Sequence, residues 1–267
     1  MGVAIASLLH GGVSLGGQPR TAASAPGTAA STPGAAVTFV ACPVYRDTDN
    51  GRKSGCWLAT DPASGVRYDI AHSRTKPQIG HEVLIEGSAA VGDQVCGAPL
   101  LSPTHVSVLD TACPPVLLPA ENYAGRRSIV SPASVLPPTD TPRPPIVGPF
   151  DAREWDIEFG YRSDFLQYQY SEVILDEIAR TVAAGHPKRV QVVGYAVTQE
   201  RVVSGHALSE PRELARQRAE MVALALERLG VARPPMQTSW GVNPKPVAID
   251  DGLPEPSRRR VEIHLSY

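Results

Sequence analysis

Cysteine stops early in this chain. All four cysteines fall between Cys42 and Cys113, and none occurs in the remainder of the 267 residues. No two stand as C-x-x-C, which argues against a zinc ribbon or a thioredoxin-like motif. An excess of one charge is also lacking. The 25 Lys and Arg against 27 Asp and Glu leave a net charge of −2, which excludes a nucleic-acid binder that depends on phosphate attraction. Long apolar runs are missing too. Val3 to Leu9 is the apolar stretch near the start, and it falls well short of the roughly 20 residues a membrane helix needs. Enzyme signatures are equally scarce. His10, His72, His81, His105, His186, His206 and His264 are scattered, with no pair at metal-ligand spacing on one element. Ser204-Gly205-His206 lacks the Gly-x-Ser-x-Gly of a nucleophile elbow. A catalytic role, a cofactor and a bound metal are therefore not expected.

What remains is a chain of ordinary apolar content, 42%, long enough for two small domains. An even number of cysteines confined to one region reads as two disulfides formed in an oxidising compartment. Three connectivities satisfy that count. Cys42–Cys56 with Cys96–Cys113 is favoured because each closes a short local loop, worth roughly 3 kcal/mol apiece; four buried free thiols are the alternative. Export has a second sign. The apolar run is followed by Ala22-Ala23-Ser24-Ala25, small residues of the kind found at signal cleavage sites, although no Lys or Arg precedes the run.

Residues 1–35 read as a signal-like segment and a tether of Ala, Ser, Thr, Pro and Gly that buries too little to order itself. Residues 36–113 read as a small all-β domain. Val37–Val44, Cys56–Ala59, Val66–Ile70, His81–Gly87 and His105–Leu109 are strand-like, and Asp61-Pro62-Ala63-Ser64-Gly65 signals a hairpin. Their spacing predicts an OB-like barrel or a sandwich. Asp47-x-Asp49-x-Gly51 has the start of a calcium loop without its distant Glu, and reads as a solvated turn. Residues 114–149 crowd seven prolines between Pro132 and Pro149 and predict an extended spacer that holds two domains apart.

Residues 150–267 read as β-α-β-α-β. Trp155-Asp156-Ile157-Glu158-Phe159 alternates, and Ile174, Leu175, Ile178 and Val182 repeat at helical spacing up to Gly185-His186-Pro187. Val190–Tyr195 is a buried-type strand. Ser209-Glu210-Pro211 suits a capped start for a second helix with an apolar face of Leu214, Met221, Val222, Ala225 and Leu229, closed by Gly230. A short strand at Gln237–Trp240 and a half-buried strand with Val261, Ile263 and Leu265 finish the chain. The overall class is α+β.

Four clusters in this region carry a likeness: Leu214-Ala215-x-x-Arg218, Arg218-Ala219-x-x-Val222 with Leu226 and Gly230, Gly241 followed by Pro246, and Arg259-Arg260-Val261-Glu262-Ile263. Together they resemble the OmpA-like C-terminal domain family, over about residues 153–267. The resemblance implies non-covalent association with peptidoglycan, placement in the periplasm near an outer membrane, and a site for a stem-peptide diamino acid. Its carboxylate would meet Arg218, since a guanidinium fork donates two parallel hydrogen bonds; Arg259 belongs to the closing motif. The family's acid sits in a Gly-His-Thr-Asp stretch, which here reads Gly194-Tyr195-Ala196-Val197. Val197 thus stands where the ammonium partner belongs and Tyr195 where His does. Glu200 or Glu210, from the long loop Thr198–Pro211, are the candidate replacement acids. The alternative is a degenerate OmpA-like domain that binds envelope proteins as an assembly module. An open cleft beside Arg218 decides between them.

Overall fold

The computed structural model describes residues 1–2, 34–47, 55–92, 94–123, 125, 136–137, 141–167, 169–233, 235–248 and 251–267. The signal-like run, the tether, most of the Asp47–Gly51 turn and the middle of the Pro-rich segment lie outside them. Among the described residues, the first region holds seven strands: β1 (Ala36–Ala41), β2 (Val44–Arg46), β3 (Cys56–Thr60), β4 (Arg67–Asp69), β5 (His81–Ala89), β6 (Leu101–Ala112) and β7 (Val116–Leu118). They form two sheets, ordered β1-β5-β6 and β4-β3-β2-β7, and neither is closed. The OB-like barrel is therefore not what the described strands build. The long β5–β6 ladder takes β1 as its second neighbour, while β2 pairs in parallel with β7, drawn from the start of the expected spacer. Phe39, Val83, Ile85, Leu101 and Val106 of one sheet share a core with Ala59, Val66, Tyr68 and Ile70.

The disulfide that forms is Cys56–Cys96, across 40 residues. The favoured Cys42–Cys56 and Cys96–Cys113 pairs are both ruled out by it. Short loop length was the wrong criterion: sheet topology puts Cys56 and Cys96 together in a buried cluster with Leu58 and Ala98, and leaves Cys42 and Cys113 at the ends of β1 and β6.

The second region follows the expected order: β8 (Arg153–Glu158), α1 (Tyr170–Gly185), β9 (Arg189–Ala196), a hairpin of β10 (Arg201–Val203) and β11 (His206–Leu208), α2 (Glu213–Arg228), β12 (Met236–Val242), a short α3 (Pro254–Ser257) and β13 (Arg260–Ser266). Its sheet runs β12-β9-β13-β8, with β12 parallel to β9 and β13 antiparallel to both neighbours. Ile157, Val190, Val192, Val261, Ile263 and Leu265 face Leu175, Ile178, Ala219, Val222 and Leu226 of the two helices. Helix α2 approaches β9 so closely that a Cβ on Gly194 would lie 2.0 Å from the Ala215 carbonyl oxygen, so only glycine fits there. The buried face of α2 keeps Leu214 and Val222 of the expected one, with Ala225 at its edge, and is otherwise turned. Ala215, Ala219 and Leu226 are inside, whereas Met221 and Leu229 are exposed.

The two regions touch. Val40, Leu84 and Leu109 pack with Tyr161, Val203 and Leu208 in one apolar cluster. The end of the Pro-rich segment lies along α1, where Arg143 pairs with Asp176 and Arg180 donates to the Pro144 carbonyl. It does not hold the regions apart. Among the described residues, no helix is long and apolar enough to cross a membrane.

Candidate functional site: a closed arginine pair and the interdomain seam

Helix α2 carries Arg218 on its buried face, and the side chain is fully enclosed. A buried guanidinium has five N–H groups to satisfy. Nε donates to the Ser163 carbonyl at 2.9 Å, Nη1 to the Tyr195 carbonyl at 2.7 Å, and Nη2 to the Gly160 carbonyl at 3.0 Å. The remaining two go to Glu210, Nη1 to Oε2 at 3.0 Å and Nη2 to Oε1 at 2.6 Å. No donor is left over. Glu210 is satisfied as completely, for its Oε1 also accepts the Arg162 N–H at 2.9 Å and its Oε2 the Val197 N–H at 2.8 Å. Both side chains have 0% exposure. Burial pulls the Arg218 guanidinium below its ordinary value, and the Glu210 carboxylate opposes that only in part.

Glu210 does not act at the start of α2 as expected. The N-cap position is Arg212, with no side-chain cap. The Glu210 carboxylate turns inward because Arg218 would otherwise be a buried charge without a counter-ion, which costs several kcal/mol. Val197 enters this arrangement through its backbone N–H, while its side chain is buried. Tyr195 contributes its carbonyl; its ring lies under the Arg260 guanidinium, 5.1 Å away, and its hydroxyl donates to Glu262. Glu200 is exposed at the entry to the β10–β11 hairpin, away from the pair.

Arg259 is also buried, and it points across the seam. Nη2 donates to Glu86 Oε2 on β5 and Nη1 to Oε1 at 3.3 Å. Arg201 of β10 donates to the same carboxylate. Burial pushes the Glu86 carboxyl up, but Arg259 and Arg201 together outweigh it and hold it below its ordinary value. Further along the seam His105 Nε2 lies 2.6 Å from Asp251 Oδ2, and Arg74 donates to Glu158 Oε2 at 3.0 Å. The Tyr161 N–H donates to Ser107 Oγ at 2.9 Å, and His206 faces Glu82 at 3.4 Å. Its neighbours in the arginine run do other work: Arg260 pairs with Glu262, and Arg258 donates to the Pro244 carbonyl at 3.0 Å.

Sequence reasoning missed Glu86. The signal was available: Val83-Leu84-Ile85-Glu86-Gly87 is an apolar run with one acid, and β5 is buried on both faces. An acid in such a strand demands a cation from elsewhere in the fold. Beside the closed arginine pair lies a cleft of about 590 Å³, lined by Asp110, Arg162, Asp164, Ser209, Glu210 and Gln217 among others.

No protein-family model matches the chain, and no curated protein matches it. Solved structures similar to it include the OmpA-like domain of FopA1 from Francisella tularensis, at 21% identity over 42% of this chain and 71% of that one, TM-score 0.34. The periplasmic domain of Helicobacter pylori MotB is similar at 24% identity over 43% and 76%, TM-score 0.33. The peptidoglycan-associated lipoprotein from Burkholderia pseudomallei is similar at 26% over 42% and 89%, TM-score 0.32.

Proposed function

We propose that this chain is a non-catalytic cell-envelope protein of OmpA-like kind whose arginine site has been turned to internal use, and that it works in the periplasm as an assembly or scaffold module for protein partners. The observation that carries this reading is the saturation of Arg218: all five of its N–H groups are taken, two of them by the Glu210 carboxylate. A stem peptide would have to displace a buried, fully hydrogen-bonded carboxylate, and a lost pair of this kind costs about 3–5 kcal/mol. The disulfide supports an oxidising compartment. The test is co-sedimentation of the full chain with purified peptidoglycan sacculi. The wild-type protein is expected to stay in the supernatant, and pelleting that Arg218→Lys abolishes without loss of fold would overturn the reading.

A second reading keeps peptidoglycan as the partner. The cleft beside the pair is lined by Arg162, Asp110 and Asp164, one base and two acids of the kind a zwitterion needs. On this reading the wild-type chain pellets with sacculi and Arg162→Ala releases it, while the buried Arg218 serves only to shape the floor.

A further inference from the structure

Cys42 and Cys113 are the cysteines left outside the Cys56–Cys96 disulfide. They are 71 residues apart by number but meet in space, with the Cys113 thiol in side-chain hydrogen-bond contact with Cys42. The topology explains the meeting. Ala41, the last residue of β1, pairs with Val83 of β5, and Ala112, the last of β6, pairs with His81. Each cysteine is therefore the first residue beyond a strand that flanks β5, at the same end of the sheet. Strands on either side of a third are about 10 Å apart, too far for a disulfide. Here the central strand has turned away at Gly80, which has a φ of +90° and whose carbonyl accepts the Cys113 N–H at 2.9 Å. The two flanking chains come together at this end of the sheet, where the Cys42 and Cys113 side chains touch.

We propose that Cys42 and Cys113 close a second disulfide across this end of the sheet, and that this one is a reducible clasp. The bond forms by thiol–disulfide exchange with a disulfide donor such as glutathione disulfide. One thiolate attacks a donor sulfur and releases a donor thiol. The second cysteine then attacks the mixed disulfide and releases the other donor thiol. Two protein thiols and one donor disulfide become one protein disulfide and two donor thiols. Burial, with the hydrogen bond to Cys42 adding to it, pushes the Cys113 thiol up to about 12, so little Cys113 thiolate is present near neutrality and its attack is the slow step of the exchange.

The two disulfides would differ in access. Cys56 and Cys96 are fully buried, whereas Cys42 and Cys113 are partly exposed. A reductant reaches the second bond first. The clasp also stands beside the domain seam. The β5 strand it brackets carries Glu82, which faces His206, and Glu86, which holds Arg259. Opening the clasp frees the start of that strand next to the Glu82 contact.

The experiment uses the full chain, folded in a glutathione and glutathione-disulfide buffer, alkylated under native conditions and digested without reduction. A peptide joining Cys42 to Cys113 is expected beside one joining Cys56 to Cys96. In a dithiothreitol titration the Cys42–Cys113 peptide is expected to disappear at a reductant concentration roughly tenfold lower. Alkylation of both Cys42 and Cys113 in the oxidised, folded chain would overturn the proposal, as would joint loss of both bonds in one step. Cys42→Ser supplies a second measurement: it is expected to leave Cys113 alone open to alkylation with Cys56–Cys96 intact, and a Cys113 newly bridged to Cys56 or Cys96 would also refute the pairing.

Discussion

Arg218 and Arg259 are both fully buried and both held by a glutamate, yet the two pairs belong to different scales of the fold. Glu210 is eight residues from Arg218, whereas Glu86 is 173 residues from Arg259. The first pair lies within the C-terminal region and draws on the carbonyls of Gly160, Ser163 and Tyr195. The second crosses from that region to the N-terminal sheet. Their finish differs as well. Every N–H of Arg218 has a partner, while Arg259 Nε has none among the described residues. A completely satisfied ion pair specifies one local geometry; a partly satisfied one holds two bodies together with less gained per charge. The residues a sequence reading would offer to an outside ligand are thus consumed, one pair inside a domain and the other between domains.

The largest break in this comparison comes from Glu210→Gln. It leaves Arg218 buried with half its charge-assisted bonds gone, and the expected loss is about 3–5 kcal/mol in urea unfolding. Replacing both partners, Arg218→Met with Glu210→Leu, removes the desolvation penalty with the charges but leaves three carbonyls and two backbone N–H groups without these partners, so it is expected to recover only part of that loss. A double variant as unstable as the single one would mean that the carbonyl contacts, and not the ion pair, hold the loop.

Glu86→Gln strikes the other pair and is expected to cost less, about 2–3 kcal/mol, because one of the two cations on Glu86, Arg201, is partly exposed and also contacts Glu255. Its signature differs more than its size. The wild-type chain is expected to unfold in one transition because the regions share an apolar cluster and the Glu86 contacts. The variant is expected to separate into two transitions, read by fluorescence of Trp57 in one region and Trp155 in the other. A single transition in Glu86→Gln would show that the apolar cluster alone couples them.

Acid tests the same seam. Glu86 and Asp251 are held below their ordinary values, Glu86 by Arg259 and Arg201 against burial, Asp251 by His105 and the Leu253 N–H against burial. Such carboxylates contribute stability that is present above the unfolded value, about 4.5 for a glutamate, and lost as pH falls through the folded one. Glu158 runs the other way: burial raises it despite His105, so protonating it on mild acidification relieves a cost. The urea midpoint is therefore expected to rise slightly below neutrality and then fall steeply below about pH 4.5. Glu158→Gln is expected to remove the rise, and Glu86→Gln to flatten the fall.

Much of the C-terminal order was legible because it rests on local rules. The periodicity of Ile174 to Val182, the stop at Gly185-His186-Pro187 and the left-handed Gly230 all appear where the residues put them. The N-terminal sheets were less legible. Pairing of β2 with β7 spans 72 residues from Val44 to Val116, and nothing in either short strand marks the other. The same holds for the cysteines, whose partners follow from sheet order rather than from spacing. The site was less legible: Glu210 was named as an acid for a ligand's ammonium, whereas it closes on Arg218 itself, and the sequence gives no sign of that enclosure. That depends on three backbone carbonyls supplied by the Gly160–Ser163 turn and the end of β9.

The smallest expected effect sharpens the contrast at the closest range. Arg216 stands two residues before Arg218 on α2 and makes two carboxylate contacts of its own, to Glu213 and to Glu220. On paper its ion pairing matches that of Arg218. The helix turns the two side chains to opposite sides, however, and Arg216 with Glu213 and Glu220 faces water. Solvent screens such pairs, and the ordering of long side chains offsets most of the remainder. Arg216→Ala is therefore expected to leave the urea midpoint unchanged within error while Arg218→Ala collapses it. Equal losses in the two variants would show that helix pairing rather than enclosure gives Arg218 its importance.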